Sequence, residues 1–175
     1  MRQCIIYIAV KRTQLYLEGW QWNGIVTAQV GFPITPLIGF NNSGTGDGGV
    51  IDVPNLNPDF KGPVILGTVE HWFDPRAFSM PMAGTFGGVG RSSFRGPGFF
   101  NVDTSFFKRI RIRESLTLQF RAEAFNVFNH ANFAYPNQVV FQGSSSSYRY
   151  SESAGQITQT ASPSRQLQFV LKLLF

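Results

Sequence analysis

Apolar and polar residues alternate in several parts of the chain, most clearly in LTLQFRAEA at residues 116–124. Successive side chains of a β-strand point to opposite faces, so a period of two predicts a strand with one apolar and one polar face. Residues 17–34, residues 100–112 and the chain end at residues 165–175 show the same pattern. We find no amphipathic helix, so the sequence predicts an all-β protein.

The predicted strands are long, and the connections between them are unequal. Strands in globular proteins have about 5–6 residues, whereas a tilted strand that crosses a bilayer needs about 9–11. A short turn at Arg113–Ser115 joins the second and third strands, but residues 33–98 and 130–164 form long connections rich in Gly, Pro, Asn and Ser. Short periplasmic turns and long extracellular loops are typical of outer-membrane barrels. We therefore expect an antiparallel transmembrane β-barrel.

The composition is unusual for a soluble domain. Charged residues make up 14% of the chain, against about 25% in ordinary globular proteins, and there are 18 Phe. The net charge is +5, but the only local basic cluster is Lys108, Arg109, Arg111 and Arg113, which does not form a basic face. Cys4 is the single cysteine and excludes an internal disulfide. No apolar run approaches the length of a membrane helix, so a membrane-spanning structure would have to be built from strands.

Two short motifs resemble known binding signatures without their context. GTGDGG at residues 44–49 fits the dinucleotide fingerprint, but Pro54 and Pro58 preclude the helix that must follow it. FRGPGFFNV, from residue 94, has the aromatic residues of an RNA-binding strand but Pro97 within it and no accompanying helices. We interpret the first as a flexible loop and the second as a loop that ends in Gly-Pro-Gly before a strand begins, and we expect no nucleic-acid partner.

Charged residues on the predicted polar faces invite a catalytic interpretation. Arg121 and Glu123 share one strand, yet cross-strand ion pairs produce such clusters more often than active sites do. The chain has neither a Ser-His-Asp order nor a metal-binding His motif. We expect no enzyme activity, no cofactor and no metal site.

The apolar faces could pack on a protein core or on lipid. Trp20, Trp22, Phe120 and Phe175 suit either a core or the aromatic girdle of a barrel. A core requires a second layer, and four apolar faces have no helix to cover them. This favours lipid.

Several blocks then resemble TonB-dependent outer-membrane receptors, in particular their Oar-like branch. Residues 90–133 are similar to the penultimate hairpin of these receptors, and R-x-E-x-F-N-x-F-N at residues 121–129 is the most specific part. Residues 19–35, residues 72–90 and the ending SRQLQFVLKLLF are similar to the same branch. The resemblance implies a β-barrel fragment made of the last four or so strands, a curved meander with long extracellular loops.

The resemblance also implies roles for two sets of residues. The first set would face the barrel lumen with polar side chains: Asp103, Arg109, Arg111, Gln119, Arg121 and Glu123. The second set would form the C-terminal signal by which a barrel is recognised for assembly: Leu167, Phe169, Leu171, Leu173 and Phe175.

Residues 17–175 are thus predicted to be the C-terminal part of a receptor barrel, and residues 1–16 a leader outside the family that is either spurious or disordered. The expected location is the outer membrane of a Gram-negative type of cell, and the expected function is to supply wall and loops for energised substrate uptake. Expected partners are outer-membrane lipid and the barrel-assembly machinery, with the remainder of the barrel, a plug and TonB if a full-length protein exists. The alternatives are a soluble β-sandwich that binds glycan or nucleic acid, and a non-functional gene fragment.

Overall fold

The computed structural model describes residues 3–10, 19–46 and 52–175. The chain folds as two compact units, each assembled from separate stretches. The first, which we call the sheet unit, comprises Met1–Val30, Gly98–Asn132 and Ser162–Phe175. The second, the insert unit, comprises Gly31–Pro97 and Phe133–Ala161.

The described residues contain twelve β-strands and one short 3-10 helix, at Pro75–Ala77. The strands are β1 (Gln3–Val10), β2 (Trp20–Gln29), β3 (Pro33–Ile34), β4 (Leu37–Ile38), β5 (Asn55–Leu56), β6 (Phe78–Ser79), β7 (Phe94–Arg95), β8 (Phe99–Arg113), β9 (Leu116–Phe125), β10 (Val139–Ser144), β11 (Ser147–Tyr150) and β12 (Gln166–Leu174).

The sheet unit is a single five-stranded sheet in the order β1-β2-β8-β9-β12. Every neighbouring pair is antiparallel. One row across the sheet shows the register: Trp22 lies opposite Phe106, Phe106 opposite Ala122, and Ala122 opposite Phe169. Because the side-chain period is two, this row fixes the face to which the other residues of these four strands point, up to the register irregularity between Arg111 and Arg113 of β8.

The two ends of the sheet differ. At the turn end, Glu114 and Ser115 form a tight turn between β8 and β9. At the opposite end, which we call the loop end, β2 and β9 finish while β8 and β12 begin, as the paired residues Gln29 with Phe99 and Phe125 with Gln166 show. The long connections therefore leave the sheet from its loop end.

The predicted all-β fold is confirmed, and the four predicted alternating segments correspond to β2, β8, β9 and β12. The structure adds β1, which pairs with β2 from Gln3 opposite Gln29 to Val10 opposite Trp22. The predicted leader covers β1, but residues 1–2 and 11–16 lie outside the described residues. The boundary between residues 16 and 17 stays a prediction.

The long connections are more ordered than their composition indicates. They form the insert unit, which has three small sheets, β11-β10-β4, β3-β7 and β5-β6. Apolar side chains from both of its stretches meet in one core: Ile34, Ile38, Phe73, Ala77, Phe78, Val89, Val140, Phe141 and Ala154. Burying a Phe or Ile side chain contributes about 1.5–3 kcal/mol, so this core stabilises the Gly- and Pro-rich segments that supply it.

Tight backbone packing explains one of the glycines of the insert unit. Gly155 has a φ of +75°, and a Cβ at this position would lie 2.9 Å from the carbonyl oxygen of Phe73. Its own N–H donates to the Asn137 carbonyl oxygen. Both the conformation and the space therefore require glycine here.

Candidate functional site

The candidate site is the polar face of the five-stranded sheet. All six predicted polar residues, Asp103, Arg109, Arg111, Gln119, Arg121 and Glu123, point to this face by register. Ser105 lies opposite Glu123, and Arg109 lies opposite Gln119. On the adjoining strand, Gln168 and Lys172 extend the face beside Glu123 and Gln119.

An ion pair occupies the middle of the polar face. An Arg121 Nη2 lies 2.6 Å from a carboxylate oxygen of Glu123, two residues along β9. The Arg121 guanidinium also lies 4.8 Å from the ring centroid of Phe107, its cross-strand neighbour. The Glu123 side chain is only 13% exposed. A cation–π contact and a salt bridge together hold the arginine flat against the sheet.

Charge is distributed unevenly along this face. Asp103 and Glu123 lie toward the loop end, whereas Arg109, Arg111 and Lys172 lie toward the turn end. The structure thus brings Arg121 and Glu123 together but separates Asp103 from the three basic residues. A charged solute that moved along the face would meet acidic groups at one end and basic groups at the other.

The opposite face of the same sheet is apolar and exposed. Leu167, Phe169 and Leu171 of β12 are exposed by 62%, 68% and 68%. Exposed aromatic and aliphatic side chains of β2 and β8 continue the surface: Trp20, Trp22, Phe100, Phe106 and Ile110. In the described part of the chain, no second layer buries this face. Contiguous apolar surfaces of this kind are rare on soluble monomers.

The few polar groups on the apolar face have partners within the chain. Trp22 Nε1 donates to Thr104 Oγ1 at 2.6 Å, and that hydroxyl donates to the Asn23 carbonyl oxygen at 3.1 Å. The Lys108 ammonium lies 5.1 Å from the Trp20 ring centroid. A polar group that meets hydrocarbon must be satisfied internally, and the hydrogen bonds of Trp22 and Thr104 meet that condition.

Asparagines organise the loop end of the sheet. Asn126 is buried, has a φ of +50°, and donates from Nδ2 to the carbonyl oxygens of His130 and Pro163. Its Oδ1 accepts the His130 N–H, and its own N–H donates to Asp103 Oδ1 at 2.9 Å. Asp103 is therefore tied to the end of β9 and not to the ion pair.

A second buried asparagine extends β8. Asn132 Oδ1 accepts the Phe100 N–H at 2.7 Å, while its Nδ2 donates to the Phe100 carbonyl oxygen at 2.9 Å. The side-chain amide thus takes the place of a backbone partner in the ladder. Asn129, with a φ of +51°, accepts the Arg165 N–H just before β12.

Comparison with known protein families identifies a match. Residues 9–168 match the family model described as the outer membrane beta barrel domain. The chain belongs to this family. No curated protein and no solved structure matches the chain.

Membership in the outer membrane beta barrel family accounts for the two faces of the sheet. Strands of such barrels alternate apolar and polar residues because one face points outward and the other inward. The chain is therefore an outer-membrane protein. Among the described residues, no helix is long and apolar enough to cross a membrane. The same residues include no group of three or more His, Cys, Asp or Glu placed to hold a metal ion.

The predicted assembly residues lie where the sequence places them. Leu167, Leu171 and Leu173 share the apolar face of β12 with Phe169, and Phe175 lies after the end of the strand. Their role in barrel assembly stays a prediction. It also stays a prediction that the polar face lines the barrel lumen. The asparagines at the loop end were not predicted as site residues. The signal for Asn126 and Asn129 is the second half of the R-x-E-x-F-N-x-F-N motif, since Asn is one of the few residues that tolerate positive φ.

Proposed function

We propose that the chain forms part of the wall and outer loops of a TonB-dependent receptor that takes up a substrate across the outer membrane. The observation that carries this proposal is the R-x-E-x-F-N-x-F-N segment of residues 121–129. Its charged half forms the ion pair on the polar face, and its asparagine half orders the loop end. The resemblance to receptors of the Oar-like branch supports the step from outer-membrane barrel to receptor.

The apolar face is proposed to contact lipid and the polar face to line the lumen. Two features support this orientation: the apolar face is widely exposed, and the Trp22 N–H and the Thr104 hydroxyl on it are hydrogen-bonded within the chain. A soluble β-sandwich, the competing hypothesis, would need a second sheet over the apolar face. The exposure of Phe169 and Leu171 argues against that hypothesis.

The direction of the strands follows from barrel topology. Short turns of outer-membrane barrels are periplasmic, and long connections are extracellular. The turn at Glu114 and Ser115 would then face the periplasm, and residues 31–97 and 133–161 would lie outside the cell. We propose a binding and transport role without enzymatic chemistry, in a cell of Gram-negative type.

The proposed partners complete the transporter. Single-chain bacterial barrels have at least about eight strands, so the five strands of this sheet need further strands to close a wall. We propose the remainder of the barrel, a plug, TonB and the barrel-assembly machinery as these partners, together with outer-membrane lipid.

Retention on TonB tests the receptor proposal. Outer membranes of the producing cells are solubilised in mild detergent and passed over the immobilised periplasmic domain of the same organism's TonB. We expect retention, and no retention on a column that carries an unrelated periplasmic domain. A protein that fractionates with the outer membrane but fails to bind would overturn the receptor while leaving the barrel intact. A protein recovered folded and monomeric without detergent would overturn both.

A further inference from the structure

A groove in the insert unit has the composition of a binding site. It encloses about 560 Å³ and is lined by residues of the stretches 134–137 and 153–159. All of them belong to one compact unit. A groove of this size is within the range of small-molecule sites, about 300–1,000 Å³.

The walls of the groove are held by the backbone. The Ala134 N–H donates to the Gln159 carbonyl oxygen at 3.0 Å, and the Asn137 N–H donates to the Gln156 carbonyl oxygen at 2.9 Å. Across the groove floor, Asn137 Nδ2 donates to Ser153 Oγ at 2.8 Å. These bonds shape the groove before any ligand arrives, which lowers the entropic cost of binding.

The free polar groups of the lining are neutral. Gln156, Thr158 and Gln159 are exposed, and their side chains make no hydrogen bond to any described residue. Amides and hydroxyls both donate and accept hydrogen bonds. No Asp, Glu, Lys, Arg or His lines the groove. An anionic or cationic ligand would therefore lose its hydration without gaining a countercharge.

An aromatic ring lines the groove. Tyr135 is 53% exposed, and its ring is held by Phe32, with ring centroids 5.6 Å apart. The exposed part of a tyrosine ring offers an apolar surface beside a hydroxyl. A second groove of about 570 Å³ shares Thr158 and Gln159 with the first, so the lining continues beyond one site.

We propose that these grooves bind a neutral oligosaccharide. Sugar hydroxyls pair with groups that can both donate and accept, and the C–H faces of a sugar ring pack on an aromatic ring. The two adjoining grooves, of about 560 and 570 Å³, together leave room for more than one sugar unit. This proposal deepens the proposed function by naming its substrate class, and its relevance to uptake rests on that function. Binding of the oligosaccharide by the grooves does not depend on that function.

Glycan binding by the full chain, purified in detergent micelles, tests the proposal. The protein is screened on an array of neutral oligosaccharides and of uronic-acid oligosaccharides of similar length, and the best ligand is then titrated by calorimetry. We expect saturable binding of a neutral glycan and at least about tenfold weaker binding of the acidic ones. Tyr135→Ala should weaken binding at least about tenfold, because aromatic anchors dominate small contact areas.

Tyr148→Ala is the matched control. Tyr148 is 51% exposed and also lies 5.6 Å from a phenylalanine ring, that of Phe141, but it does not line either groove. Its substitution should change affinity less than about twofold. Thr158→Val, which removes a hydroxyl and keeps the shape, provides a second test if Tyr135→Ala does not fold, with an expected loss of about threefold or more.

Three results would overturn the proposal: no neutral glycan binds, acidic glycans bind as tightly, or the two tyrosine substitutions have equal effects. The TonB column separates this failure from failure of the proposed function. If the protein binds TonB but no glycan, only the oligosaccharide proposal is overturned. If it binds glycan but not TonB, only the receptor proposal is overturned.

Discussion

Phe169 and Gln168 are neighbours in β12 that point to opposite faces of the sheet, Phe169 opposite Ala122 and Gln168 opposite Glu123. Phe169→Arg should block assembly into the outer membrane, because arginine on a lipid-facing strand costs up to about 2–4 kcal/mol. Gln168→Arg should be tolerated, since it places a cation beside a carboxylate. Immunoblots of outer-membrane fractions, with unheated samples to show folded barrel, measure both. Equal yields of the two variants would contradict the proposed orientation.

Asn126 and Asn129 both have positive φ, but only Asn126 is buried with three side-chain hydrogen bonds. Asn126→Ala should destabilise the sheet unit by about 2–4 kcal/mol, because it removes all three hydrogen bonds of a buried side chain. Asn129→Ala, which removes one hydrogen bond near the surface, should cost about 1 kcal/mol. Urea titration of the refolded protein in micelles gives both values. A larger loss of unfolding free energy for Asn129→Ala than for Asn126→Ala would show that the hydrogen bonds of Asn126 are not what stabilises this end of the sheet.

For single residues, the sequence predicts the face of a strand but not the contacts at its end. The alternation of β9 is sufficient to place Arg121 and Glu123 on one face, since a strand has a period of two. It does not reveal that Asp103 is bonded to the backbone of Asn126, because that contact joins residues 23 apart at a strand end. The buried role of Asn132 was missed for the same reason.

At the scale of elements, long strands were predictable and short ones were not. β2, β8, β9 and β12 have nine residues or more, so their alternation is recognisable despite lapses such as Ile25 and Lys108. The segment from Cys4 to Val10 is apolar at nearly every position and carries no such pattern, and β1 was missed. The two-residue strands of the insert unit are too short for any period.

The 3-10 helix of the insert unit provides a pH-dependent test. Asp74 caps it by accepting the Arg76 N–H, and its carboxylate also binds the Arg76 side chain at 2.7 Å. The side-chain hydrogen bond from Arg76 holds the pKa of Asp74 below its usual value of 3.8. A lowered folded pKa means that the stabilisation is complete above the unfolded pKa and is lost as the pH falls through the folded value.

Hydrogen exchange of peptides that cover residues 73–78, measured from neutral pH into the acid range, should show this loss. Asp74→Asn should exchange faster than the wild type at pH 7, and the difference should shrink below about pH 4. Asp59→Asn is the control, because Asp59 is exposed and makes no ion pair within the described residues. A difference between Asp74→Asn and wild type that stays constant with pH would exclude the carboxylate as its source.

At the scale of the molecule, the sequence predicts the sheet unit better than the insert unit. The sheet is read from local periodicity, and the family of outer-membrane barrels explains its two faces. The insert core joins Ile34, Phe73 and Phe141, which are far apart in a sequence that otherwise reads as loop. Composition alone cannot show that such distant apolar residues meet, so the connections were predicted as loops and their grooves were not anticipated.

The direction of the whole chain across the membrane is a prediction that labelling in cells can decide. In a Cys4→Ser background, a cysteine placed at Ser145, in the turn between β10 and β11, should react with a membrane-impermeant maleimide on intact cells. One placed at Glu114, in the turn between β8 and β9, should react only after the outer membrane is permeabilised, because short barrel turns face the periplasm. Both positions are exposed turn residues, so access to the reagent, and not burial, sets the difference. Labelling of Glu114→Cys on intact cells, with Ser145→Cys protected, would reverse the topology and place the oligosaccharide groove on the periplasmic side.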